Sequence, residues 1–215
     1  MLLEIILAFL IGSVPTGYLL NKYFGQGDIR KVGSGNIGAT NVLRHSGKLL
    51  GLLTLLIDIG KGFLAVYLLF YLKLIELVSF VWNDISIIGS SVVLGHIFSP
   101  WLKFKGGKGV AAGLGALAII SPISALIALS GVIIALLSKY VSLGSIIGTS
   151  LSLGDLILFS AFELTIVGWD HDHWYLLFAI PVSILIIWSH QSNIGRLVKG
   201  DESKLENKPD PRRAK

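Results

Sequence analysis

Cysteine is absent from the 215 residues. That excludes disulfides, thiol nucleophiles and thiolate metal sites, and leaves the redox compartment open. Charge is scarce: Asp, Glu, Lys and Arg make up 14% of the chain, where a soluble domain carries about a quarter. Hydrophobic residues fill 53% of it. The long uncharged apolar runs that result make the chain an integral membrane protein. No composition shift marks a second, soluble domain; everything polar is a loop or a tail. The start, Met1-Leu2-Leu3-Glu4, lacks a basic segment, and no small-residue cleavage site stands out. The first apolar run is therefore read as a retained span, not a removed signal peptide.

The apolar runs place spans over residues 2–23, 49–72, 85–98, 139–162 and 174–189. The first is interrupted by Ser13, Pro15, Thr16 and Gly17, which reads as a structural kink. The second carries Asp58 and Lys61 three residues apart, on one helical face; charges in lipid are costly, so they are expected to form a structural ion pair. Residues 73–84 read as a short connection. The run 110–138 is too long for one span and short for two. Of 18 Lys and Arg, Lys61 lies within a span and Lys73 just beyond it; the others fall in two glycine-rich loops with their flanks, at Lys139 and after His190. The positive-inside bias places those regions on one side. It requires a break at Ser121-Pro122, giving two short helices or a re-entrant hairpin.

The first glycine loop interleaves Gly33, Gly35 and Gly38 with Ser34, Asn36, Thr40 and Asn41, flanked by Arg30, Lys31 and Arg44. Such backbone, with cations alongside, can form an anion-binding nest. The second runs through Lys103, Lys105, Gly106, Gly107, Lys108 and Gly109, directly ahead of an apolar helix. Free N–H groups, the positive helix end and a mobile ammonium all suit a phosphate. It is not a Walker A loop, because the Gly-x4-Gly-Lys-Ser/Thr spacing is missing. Ser142 and Ser145 open the following span at the same level. His190, Asn193 and Arg196 leave the last span toward a charged tail, 205–215, expected to be disordered. Residues 163–173 contain no Lys or Arg and belong outside; their Asp170-His171-Asp172-His173 run is not taken as a metal site.

The motifs can now be read together: Ser13-x-Pro15-x-Gly17, Asp28-x-Arg30-x2-Gly33-Ser34-Gly35-Asn36-x-Gly38-Ala39-Thr40-Asn41-x2-Arg44, Asp58-x2-Lys61-Gly62, Gly95-His96, Phe104-Lys105-Gly106-Gly107-Lys108-Gly109-Val110-Ala111, Tyr140-Val141-Ser142-Leu143 and His190-x2-Asn193-Ile194-x-Arg196-Leu197. In this order and spacing the chain resembles the bacterial membrane glycerol-3-phosphate acyltransferases that use acyl phosphate as donor, the PlsY family. The likeness runs to about Glu202. It departs at Ala112 and Asp201, where threonine, or threonine or arginine, is common, and in the tail.

The resemblance implies an all-α integral membrane protein of about seven transmembrane helices, N-terminus outside and C-terminus cytoplasmic. One acyltransferase domain would fill 1–204, in the bacterial cytoplasmic membrane with its site facing the cytoplasm. The implied reaction moves a fatty acyl group from acyl phosphate, not from acyl-CoA or acyl carrier protein, to the 1-hydroxyl of glycerol 3-phosphate. It yields lysophosphatidic acid and phosphate, the first acylation of phospholipid synthesis. No cofactor, metal or nucleic acid is implied; the partners are the two substrates, the bilayer and an enzyme supplying acyl phosphate.

Because acyl phosphate is already activated, positioning and charge stabilisation carry the chemistry. Ser34, Arg44, Lys105, Ser142 and the amides of Gly106 and Gly107 are assigned to phosphate. Asn36, Asn41, Lys108 and Asn193 are assigned to glycerol 3-phosphate or the developing oxyanion. His190, Asn193, Ser34 and Lys105 form the expected catalytic set. The His-x4-Asp pattern of the soluble-facing glycerolipid acyltransferases is absent at all five histidines. Proton acceptance by the donor's own phosphate ranks first and His190 second as base, with His96 also considered; a covalent acyl-Ser34 ranks last, for want of a neighbouring base. The alternative from another class is a small organic-phosphate transporter. That would place its site near the midplane within inverted repeats; no convincing repeat is found, and the polar motifs gather on one side.

Overall fold

The computed structural model describes residues 2–74 and 82–205. Part of the expected 73–84 connection, and the tail from residue 206, lie outside them. The apolar runs become α1 (Leu2–Ser13), α2 (Thr16–Phe24), α4 (Lys48–Leu74), α5 (Trp82–Ile97), α6 (Val110–Ile120), α7 (Pro122–Ala128), α8 (Ser130–Ser138), α9 (Val141–Ala161) and α10 (Leu176–Ser189). Two amphipathic helices, α3 (Ala39–Ser46) and α11 (Gln191–Val198), complete the helical set. Between α9 and α10 a hairpin pairs β1 (Thr165–Ile166) with β2 (Trp169–Asp170), antiparallel. Among the described residues, Leu2–Phe24, Lys48–Leu68, Asp84–Leu102 and Val141–Ala161 are long and apolar enough to cross a bilayer. A fifth is added if His173–Ser189 and Gln191–Val198, bent by 54°, count as one; Val110–Ile120 and Pro122–Ser138 are apolar but shorter.

The first apolar run does break, between α1 and α2, at Val14-Pro15. Proline has no N–H and disfavours helical backbone at the residue before it. The freed carbonyls do not stay empty. Ser99 Oγ donates to Ser13 O at 2.6 Å and Lys61 Nζ to Val14 O at 3.0 Å. Lys61 also pairs with Asp58 at 2.9 Å, both side chains buried. The kink and the ion pair are thus one structural joint, which satisfies backbone that lipid could not.

The break at Ser121-Pro122 is also present. Ser121 caps α7, accepting the Ser124 N–H at 3.3 Å, and Pro122 takes the first helical position, where its missing N–H costs nothing. Trp169 Nε1 donates to the Ile120 carbonyl at 3.2 Å from the hairpin. Of the spanning segments, Asp84–Leu102 is 72% buried against 33–39% for the other three. So α5 is the central post and the others face outward. Its Ile88, Val92 and Val93 join Ile120, Leu156, Phe178, Val182 and Ile186 in one core.

Candidate active site

The first glycine loop is a tight fold held by its own asparagines. Gly33 and Gly35 sit at φ 58° and 68°, the left-handed region that other residues rarely adopt. Asn41, buried, donates through Nδ2 to the carbonyls of Ile29, Val32 and Asn36 at 3.2, 3.1 and 2.9 Å, and its Oδ1 accepts the Ser34 N–H at 3.2 Å. Asn36 Oδ1 accepts the Gly38 N–H at 2.8 Å. Both asparagines therefore shape the loop. What it presents is the Ser34 hydroxyl, which accepts the Asn36 N–H at 3.4 Å, and Arg44. Arg30 is tied to Asp28 by bonds of 2.9 and 2.7 Å and lies over Tyr18. Its hydrogen bond holds the Asp28 carboxyl down to about 2.

The lysine loop folds differently from its sequence expectation. The Gly107 and Gly106 N–H groups donate to the carbonyls of His96 and Ile97, each at 2.9 Å. They are engaged in holding the loop to the end of α5. A methyl on Gly107 would overlap the His96 imidazole, so only glycine fits. Lys105 is exposed and does not line the cavity described below, whereas Lys108 does. The N-terminal turn of α6 also reaches that cavity, through Val110 and Ala111; first-turn amides have no partner within their own helix.

The centre of the polar site is Glu202. Its Oε1 accepts from Ser142 Oγ at 2.9 Å and Asn193 Nδ2 at 2.7 Å, and its Oε2 accepts from Arg196 Nε at 2.7 Å. Burial opposes its charge, but the bonds from Arg196, Asn193 and Ser142 outweigh that and hold the carboxyl below its usual range. Asn193 in turn accepts from Lys108 Nζ. Burial brings Lys108 down to about 8, with Glu202 opposing and Arg196 and Arg44 adding to the fall. Arg44 Nη2 donates to the Ser203 carbonyl at 2.7 Å, while its buried Nε has no partner. Sequence reasoning assigned no role to Glu202 or Arg196. The available signal was an acidic pair, Asp201-Glu202, closing a basic motif, with the serine partner of Glu202 sixty residues away.

These groups share a cavity of about 1330 Å³. At one end are Ser34, Asn36, Asn41, Arg44, Lys108, Ser142, His190, Asn193, Arg196 and Glu202. Beyond them the walls are mainly apolar: Leu52 and Leu55 of α4, Leu114 and Leu117 of α6, Val132 and Leu136 of α8, and Phe178, Val182 and Ile186 of α10, with Asp58, His96, Thr149 and Ser152 among them. His190 is buried, and its Nδ1–H donates to the Ile186 carbonyl at 2.8 Å. A carbonyl only accepts, so that nitrogen carries the proton and Nε2 is left as the basic atom. Among the described residues no imidazole is hydrogen-bonded to Ser34.

On the hairpin side, Glu163, Asp172 and His173 each bring a ligand atom within 4.8 Å of the others. They are the arrangement nearest to a metal cage among the described residues. His173 Nδ1 lies 2.9 Å from the Glu163 carboxylate and 3.0 Å from that of Asp172, at a surface-exposed site. His171 is instead buried, bonded to Ser121 and the Leu164 carbonyl.

The family model described as glycerol-3-phosphate acyltransferase matches residues 2–200. A curated glycerol-3-phosphate acyltransferase of Desulforamulus reducens is 44% identical over 209 residues, 95% of this chain and 94% of that protein. One from Staphylococcus carnosus is 38% identical over 208 residues, 95% and 97% of the two chains. Among solved structures, the crystal structure of PlsY (YgiH), an integral membrane glycerol 3-phosphate acyltransferase, in its glycerol 3-phosphate form superposes with a TM-score of 0.80 at 38% identity, covering 94% of each chain. The lysophosphatidic acid form of that protein gives 0.77 at 36% identity, with the same coverage.

Proposed function

The chain belongs to the glycerol-3-phosphate acyltransferase family, and from that membership we propose that it moves a fatty acyl group from acyl phosphate to the 1-hydroxyl of glycerol 3-phosphate. The observation that carries this reading is the single cavity with a cationic polar end and a long apolar remainder. A donor with a phosphate head and a fatty tail, and a lysolipid product, need both parts at once. The topology proposed with this reading is about seven crossings of a bacterial cytoplasmic membrane, N-terminus outside, with one domain over 1–204 and the site at the cytoplasmic boundary. That arrangement keeps the basic loops on one side.

The cavity lining carries Arg44, Lys48, Lys108, Arg196 and Lys204 against Asp58, Asp201 and Glu202, so the site holds more positive than negative charge. Two phosphates would fill that surplus. We assign Arg44 Nε, the Ser34 hydroxyl and the first amides of α6 to phosphate oxygens, and Lys108 with Asn193 to glycerol 3-phosphate or the developing oxyanion. Lys105 and the Gly106 and Gly107 amides move to supporting the loop, and Ser142 to holding Glu202. In the reaction the substrate 1-hydroxyl oxygen bonds to the acyl carbon and the bond from that carbon to the phosphate oxygen breaks. The hydroxyl proton leaves with the departing phosphate, either directly or through His190 Nε2. Among the described residues no base is hydrogen-bonded to Ser34, so acyl-Ser34 ranks last. The apolar end of the cavity is backed by packed core at Phe178 and Leu153, which disfavours the transporter reading.

The test is turnover by the purified protein given palmitoyl phosphate and glycerol 3-phosphate, without CoA or carrier protein. Equal formation of lysophosphatidic acid and phosphate is expected. Phosphate alone would mean hydrolysis and a different acceptor. Turnover with acyl-CoA and none with acyl phosphate would overturn the donor assignment. If His190→Gln kept nearly full turnover with a normal pH profile, His190 would not be the base.

A further inference from the structure

The apolar part of the cavity has a fixed depth. On α10 the residues that line it are Phe178, Val182, Ile186 and, just past the helix end, His190, one every four positions. They make a stripe from the reacting end inward. Leu117 on α6 and Leu153 on α9 are the deepest lining positions of those helices. Phe178, Leu117 and Leu153 are 0%, 2% and 3% exposed. Behind the Phe178 ring the space is full: a methyl placed on Gly89 would stand 2.9 Å from its Cδ2 and 2.8 Å from Ile120 Cδ1. The sides are different. Leu52 and Leu55 on α4, and Val132 and Leu136 on α8, line the cavity yet are 39–59% exposed, as the lips of a groove open to lipid would be.

We propose that Phe178, backed by Leu153 and Leu117, is the stop that sets which acyl-chain length the enzyme accepts. This deepens the acyltransferase reading and rests on it. Twelve helical steps from His190 to Phe178 span about 18 Å at ~1.5 Å per residue, close to half of a hydrocarbon core of ~30 Å. A membrane-length acyl chain entering between α4 and α8, with its head at Lys108 and Asn193, therefore arrives at Phe178 nearly extended. A longer chain must fold back or leave its terminus in the lips.

The experiment measures kcat/KM for a series of acyl phosphates from lauroyl to arachidoyl, with wild type, Phe178→Ala and Leu153→Ala. The readout is the ratio of the value for a donor two carbons longer than the wild-type optimum to that for the optimum itself. Refusing or admitting chain length in an apolar pocket is worth about tenfold or more, so Phe178→Ala should raise the ratio by about tenfold. Leu153→Ala should raise it in the same direction and by less. Phe178→Leu gives the same sign where the alanine variant does not fold. Profiles that superimpose on wild type in these variants overturn the stop while leaving the acyltransferase reading intact. A wild type that forms no lysolipid from any donor overturns both.

Discussion

Two buried polar clusters sit toward opposite ends of the helical bundle, and they contain nearly the same residue types. The loop-side cluster has Ser142, His190, Asn193 and Glu202. The hairpin-side cluster has Ser121, Ser124, Asp155 and His171. In the second, His171 Nδ1–H donates to Leu164 O at 3.0 Å, and the Ser121 hydroxyl donates to His171 Nε2 at 3.0 Å. The Ser124 hydroxyl donates to Asp155 Oδ2 at 2.7 Å. Ser121, Ser124 and His171 are 0%, 0% and 1% exposed. This is a serine, a histidine and a carboxylate linked by hydrogen bonds; Ser121, Ser124 and His171 are buried, Asp155 is partly buried, and none of the four lines the cavity. The loop-side cluster differs in two respects: it opens on a cavity, and three cations crowd its one carboxylate. Access and unbalanced charge, rather than the presence of nucleophile and base, separate the cluster proposed as functional from the one read as structural.

If that distinction is right, its largest consequence falls on Lys108. Lys108→Ala removes a charged donor from the place where negative charge gathers, and kcat/KM should drop by about 10²- to 10³-fold with the fold intact by thermal melt. A drop of less than about tenfold would mean that the surplus charge is incidental. Glu202→Gln comes next. It leaves Arg196 without its ion pair and weakens the bonds from Ser142 and Asn193. Discounting for the half-exposed Arg196, a loss of about 2 kcal/mol in stability is expected, read as a lower midpoint in detergent. The pH profile is a smaller effect. Lys108 has its value lowered to about 8, so its charge is present below that pH and lost as pH rises through it. The charged form is the one that complements phosphate. kcat/KM should therefore fall about tenfold per unit well above that pH, and Lys108→Arg should lack this limb. Because Glu202 raises Lys108, Glu202→Gln should move the limb to lower pH.

Much of the frame was readable from residues alone. The breaks at Pro15 and at Ser121-Pro122 follow from proline and from charge parity, and both are present. The Asp58–Lys61 pair follows from helical spacing and the cost of charge in lipid. Of the site, Ser34, Arg44, Lys108, His190 and Asn193 were singled out by motif and do line one cavity. What failed was the inference from residue type to free hydrogen-bonding capacity. Gly106 and Gly107 look like phosphate-binding amides, but the end of α5 offers His96 and Ile97 carbonyls that take them. Asn41 looks like a ligand for glycerol 3-phosphate but is the staple of its own loop. The role of Glu202 depends on α9 and α11 meeting in space, and no local pattern carries that information.

The same chemical change can be made in both clusters, and the smaller response is the more telling. Asp155→Asn, like Glu202→Gln, turns a carboxylate into an amide of equal size. At Glu202 the carboxylate accepts three side-chain bonds, one of them from a cation. Asp155 accepts one side-chain bond, from Ser124, and its buried Oδ1 has no partner. An amide oxygen can still accept from the Ser124 hydroxyl, and the substitution removes a charge that no cation offsets among its described hydrogen bonds and ion pairs. Stability should therefore change by less than about 1 kcal/mol, in either direction, and turnover per folded molecule should stay at the wild-type level. A melt and an initial-rate assay on one preparation read both quantities. Loss of turnover in Asp155→Asn without loss of fold would make the hairpin-side carboxylate part of the working enzyme, and burial alone would no longer mark a polar cluster as structural.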